Sequence, residues 1–121
     1  MNPLKDLEWN EIVERNKMLC LKAGYQHGRT SEGYQPAKEL FKRESSKELD
    51  LAGAIEVLRQ LHKVAPFLFL NGNTFSQIGR ELMTWHGKSA ALRSIVDHHI
   101  AGTAVLDHEE LKTALEPGKE E

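Results

Sequence analysis

The sequence predicts an all-α fold, a compact single-domain bundle of five or six short helices, from three observations. Apolar residues recur at steps of three and four in several stretches. Cap and stop residues bracket most of those stretches. No segment sustains the period-two alternation of a half-buried strand.

Each element has its own justification. Asn2-Pro3 reads as an N-cap followed by proline at the first helical position. Trp9, Val13, Asn16 and Cys20 then fall on one face, and Gly24 is a stop, so a helix is expected over about residues 3–23. Residues 24–35 carry Gly24, Gly28 and Gly33 among polar residues and read as the longest loop. Pro36 opens a short helix to about Arg43. Asp50 caps a helix whose stripe is Leu51, Ala54, Ile55, Leu58, Leu61, His62 and Ala65, and Pro66 ends or kinks it by disfavouring helical backbone at Ala65. Thr74 and Gln77 stand at capping-box spacing before the stripe Phe75, Ile78, Leu82 and Trp85. Ser89 caps a helix with Leu92, Ile95, Val96, His99 and Ile100 inward and Gly102 at its end. Asp107 and Glu110 cap a last short helix ending near Leu115, and the tail 117–121 is expected to fray.

Length and charge bound the function. A chain of 121 residues is one domain, residues 1–121, large enough to fold without disulfides or metal. Basic and acidic side chains number 9 and 9 in residues 1–50 and 7 and 9 in residues 51–121, so neither half offers a strongly cationic surface to nucleic acid. A lone Cys20, no signal-peptide pattern at residues 1–6 and no apolar run of bilayer length together predict a cytoplasmic protein with no membrane association.

The stretch Pro66–Phe75 holds three of the chain's four Phe residues, then Asn71-Gly72-Asn73. It predicts a corner in which the Phe rings plug the core and Asn71-Gly72-Asn73 form a turn or pocket edge. In outline it is similar to the Fic adenylyltransferase signature, His-Pro-Phe-x-Asp-Gly-Asn-Gly-Arg. However, Ala65 stands in place of the catalytic His, the spacing to Gly72 is too long, and Thr74-Phe75 replaces Gly-Arg. With base and phosphate-binding Arg both missing, the segment predicts no adenylyl transfer.

Other motifs fall short of a chemistry. Gly24–Thr30 has three residues between its first two glycines and Arg29 where a phosphate loop has Lys. Cys20 lies in an apolar register, the setting of an inert thiol. The expected function is therefore that of a helical adaptor or accessory factor without a cofactor, acting by contact with a protein partner or by self-association. Its contact anchors are Trp9, Phe67, Phe69 and Trp85. One alternative is a helical DNA-binding regulator using Arg80, Lys88 and Arg93, although residues 83–88 are too long for a helix-turn-helix connection. A second is a metal-binding protein using His86, His98, His99 and His108, which lack the usual ligand spacing on a helix.

Overall fold

The computed structural model describes residues 2–116, so the tail expected to fray lies outside the described residues. Its helices are α1 (Trp9–Ala23), α2 (Tyr34–Ser45), α3 (Leu51–Val64), α4 (Asn71–Trp85), α5 (Ala90–Ala101) and α6 (His108–Leu115). Together they make an all-α bundle of six short helices with no strand among the described residues. The apolar α3 is the hub and packs against α2, α4, α5 and α6, while α1 lies across α2 and α4. Ile55, Leu58 and Leu61 of α3, Phe75 and Met83 of α4, and Ile100 of α5 are buried in one continuous core. Each large side chain taken from water stabilises the fold by roughly 1.5–3 kcal/mol.

Local signals set most helix ends. The Asp50, Ser89 and Asp107 side chains accept from the backbone N–H groups of Gly53, Leu92 and Glu110. Gly24 and Gly102 close α1 and α5 in the left-handed region, at φ 79° and 82°.

Four expectations need correction. First, α1 begins at Trp9, not at Pro3. Glu8 and Glu11 form its capping box, and Asn2 instead closes a preceding turn. The Asn2 amide reaches the carbonyls of Glu44 and Lys47 at 2.9 and 2.8 Å, a tertiary anchor with no sequence signature. Second, α2 starts at Tyr34, with Pro36 in its first turn. Gly33 permits this start, because a Cβ there would lie 2.4 Å from the Ala65 carbonyl oxygen. Third, α4 begins at Asn71, so Asn71-Gly72-Asn73 is helix rather than turn. The residues with positive φ at this corner are Ala65 and Leu70.

Fourth, Trp85 and Ile95 point outward. The inner face of α4 includes Gly79 and Met83, and a Cβ on Gly79 would come within 2.5 Å of Ile100 Cδ1. This close approach of α5 turns the Gly79 side inward. Trp85 is left 73% exposed at the end of the helix.

Candidate functional site

The corner between α3 and α4 is assembled from three segments. Pro66 drives Ala65 out of the helical region, and Ala65 ends α3 at φ 59°. The extended Phe67 then pairs with Arg29 of the 24–33 loop in an isolated antiparallel bridge. Thr30 N–H donates to the Pro66 carbonyl at 2.9 Å, and Leu68 N–H to the Gly28 carbonyl at 3.1 Å. The Asn71 side chain donates to the Phe67 carbonyl at 2.8 Å and accepts from its N–H at 2.9 Å, locking the bend. The predicted pocket-edge residues thus divide their work. Asn71 clamps the bend, Gly72 lies against the His62 ring, and Asn73 falls in the same first turn of α4.

Below the corner sits a buried polar hub. Asn16 Nδ2 donates to the Phe69 carbonyl at 2.8 Å and to Thr74 Oγ1 at 3.0 Å. Its Oδ1 faces His27 Nδ1 at 2.9 Å and Cys20 Sγ at 3.6 Å. Because both amide protons are spent on oxygen acceptors, Oδ1 can only accept, and His27 must carry its proton on Nδ1. Cys, His and Asn are neighbours here, but not as a nucleophilic triad. The thiol faces Asn16 rather than an imidazole nitrogen, and burial raises its pKa.

The hub fixes the Phe69 backbone and leaves its ring at the surface. There it stacks on Tyr25 at 4.8 Å between centroids and 16° between planes. Tyr25 arrives by a Schellman close of α1, its N–H donating to the Cys20 carbonyl at 2.9 Å around Gly24. Phe69, Leu68 and Tyr25 are 43%, 48% and 49% exposed, and Met18 and Leu21 of α1 are exposed as well. Met18 also lines a groove of about 500 Å3 with Glu14, Arg15, Lys22 and Gln77. Sequence reasoning found Phe69 but missed Tyr25, Leu68, Met18 and Leu21. An aromatic placed directly after a helix-ending glycine was the available signal.

The other expected anchors lie elsewhere. Trp9 and Phe67 are buried, stacked on one another at 6.2 Å, with Trp9 Nε1 donating to the Tyr34 hydroxyl at 3.0 Å. They are core side chains and offer no contact surface in this fold. Trp85 stands apart, over a shallow pocket with Arg80 and Arg93. Those two cations and Lys88 each spend interactions within the fold. Arg93 donates to the Lys88 carbonyl, Lys88 Nζ to the Leu115 carbonyl at 3.0 Å, and Arg80 lies 3.6 Å from Asp97.

The four histidines separate. His86 and His108 line one open cleft beside Asp50, whose carboxylate is committed to capping α3. The His98 ring contacts Thr103 Oγ1 at 2.8 Å. His99 is fully buried and accepts the Leu106 N–H on Nδ1 at 3.0 Å, so its proton is on Nε2, 2.8 Å from Glu56. Burial pushes the Glu56 carboxyl up, but hydrogen bonds from Arg59 and His99 and the charge of Arg59 outweigh it and hold the carboxyl below its ordinary value. Among the described residues, no group of three or more His, Cys, Asp or Glu side chains could hold a metal ion.

Comparison with protein-family models, curated proteins and solved structures finds no match to this chain. Among the described residues, no helix is long and apolar enough to cross a membrane.

Proposed function

We propose that this is a cytoplasmic adaptor or accessory protein that works by protein–protein contact through the corner where Tyr25 stacks on Phe69. The observation that carries this reading is an exposed, pre-organised aromatic pair beside exposed Leu68. Aromatic anchors held at low conformational-entropy cost are the usual centre of a contact surface. The Asn16 hub supplies that pre-organisation by holding the Phe69 carbonyl. Met18 and Leu21 extend the apolar area along α1, and Glu14 and Lys22 supply a polar margin of the kind that rims an interface.

The test replaces Phe69 with a photo-crosslinking aromatic in the source cells, with a matched probe at exposed Lys112 on α6 as control. A discrete covalent adduct at position 69, absent at position 112 and suppressed by Tyr25→Ser, is the expected result. Its mass distinguishes a second copy of the chain from another protein. Equal labelling at the two positions would remove the reading.

A further inference from the structure

We infer that the face formed by α1, α2 and the 24–33 loop holds a binding site for a small, multiply charged oxyanion such as a phosphate ester or diphosphate. A pocket of about 500 Å3 opens there, lined by Glu8, Trp9, Arg29, Tyr34, Lys38 and Lys42. Its three cations come from two separate segments. Lys38 and Lys42 follow Tyr34 at helical steps of four, which places all three on one face of α2. Arg29 comes from the loop, fixed by the backbone bridge to Phe67. Its guanidinium lies over the Tyr34 ring, 4.1 Å from the centroid. Stacking on a ring leaves the N–H edges of a guanidinium free for a bidentate oxyanion.

Charge balance makes this place unusual in the molecule. Among the described residues, no hydrogen-bond or ion-pair acceptor meets the Arg29, Lys38 or Lys42 side chain. Against a single lining carboxylate, Glu8, three cations therefore share one concave site in a chain of net charge -2. An excess of like charge costs stability, and an anion bound among the cations relieves that cost. The aromatic floor is rigid. Trp9 and Tyr34 are joined edge to face and by their hydrogen bond, so the floor needs no rearrangement when a ligand binds.

Size and surroundings favour a small ligand over a polymer. The cations are confined to one pocket, and Glu11, Glu39 and Glu44 stand on the same two helices, so no cationic track leads away from it. A nucleic-acid backbone needs such a track.

Calorimetric titration of the full chain with inorganic pyrophosphate tests the site, with a nucleoside monophosphate and a short single-stranded oligonucleotide as further arms. The expected result is saturable binding of pyrophosphate at millimolar or lower concentration. Lys42→Gln, which alters only an exposed side chain, should weaken it by roughly tenfold, as loss of a charge-assisted hydrogen bond does. Arg29→Gln should weaken it further, and Lys112→Gln on α6 should change nothing. Absence of saturable binding overturns the inference, as does binding indifferent to Lys42→Gln. An oligonucleotide bound more tightly than pyrophosphate, with a steep salt dependence, would also overturn it, in favour of a polymer surface.

Discussion

Asn16 shows how one side chain ties a surface to a core. Every polar atom of its amide has a partner: Phe69, Thr74, His27 and Cys20. Thr74 passes the chain on, its hydroxyl donating to the Leu70 carbonyl at 2.8 Å. Asn16→Ala would leave the Phe69 carbonyl and the His27 ring N–H without their partner in a buried setting. The expected loss is about 2–4 kcal/mol, because unsatisfied buried polar groups cost more than a hydrogen bond contributes. Asn16→Asp preserves shape but removes both donors and sets a carboxylate against the Phe69 carbonyl, so it should be no better than Ala at neutral pH. Urea unfolding of the two variants checks this. A loss under about 1 kcal/mol in both would mean that water repairs the site, and that Phe69 is not positioned from below.

At the scale of elements, the ends of α3 and α4 carry the conformational cost of the corner. Gly24 and Gly102 end their helices at positive φ without a side chain to strain, whereas Ala65 does so with a Cβ. A non-glycine residue there costs roughly 1–2 kcal/mol. Ala65→Gly should therefore stabilise the protein, by about 0.5–1 kcal/mol once the extra freedom of glycine in the unfolded chain is deducted. Gly24→Ala, in open space at φ 79°, should destabilise it by about 1 kcal/mol. Thermal melts of the pair decide the matter, and a lowered melting point for Ala65→Gly would show that the methyl group contributes more by packing than it costs in strain. The same corner marks where the sequence stops being legible. Asp50, Ser89 and Asp107 announce their helices because cap and first turn are neighbours in the chain. Leu70, the N-cap of α4, has no capping side chain, and the partners that hold the corner, Thr30 and Asn71, act across the chain or behind the bend. Pro66 does foretell the end of α3, since its effect on Ala65 is local. Phe67 and Phe69 look alike in sequence, and only the pairing of this segment with the 24–33 loop sends one ring inward and leaves the other at the surface. The basic pocket was equally hidden, because Arg29 and Lys42 meet only once that loop is pinned.

Across the whole molecule, two carboxylates on neighbouring helices bias the fold in opposite directions as pH changes. Glu56 of α3 reaches His99 of α5 at 2.8 Å and pairs with Arg59, and its pKa is lowered despite the opposing effect of burial. A lowered folded pKa means that the unfolded chain binds the proton more readily. The stability Glu56 contributes is therefore present above the unfolded carboxylate range and is lost as pH falls through the folded value. Asp97 of α5 behaves inversely. Burial raises its pKa against the weaker pull of Arg80 and His98, and its Oδ1 has no hydrogen-bond partner. The folded chain then binds the proton more readily, so the charged Asp97 costs stability at neutral pH and that cost fades on acidification. The Arg80 contact at 3.6 Å, on a half-exposed guanidinium, does little to offset it. Asp97→Asn should thus raise the urea midpoint at pH 7, with the advantage shrinking toward about pH 4, where an ordinary carboxyl is half protonated. Glu56→Gln should lower the unfolding free energy at pH 7 by about 1–3 kcal/mol, for a partly buried charged hydrogen bond, and flatten the acid side of the profile. Measuring both variants from neutral to acid pH separates the two terms. If Asp97→Asn were destabilising at pH 7, the long Arg80 contact would be contributing more than burial takes away, and α4 and α5 would be held together by charge as well as by the close approach of Gly79 to Ile100.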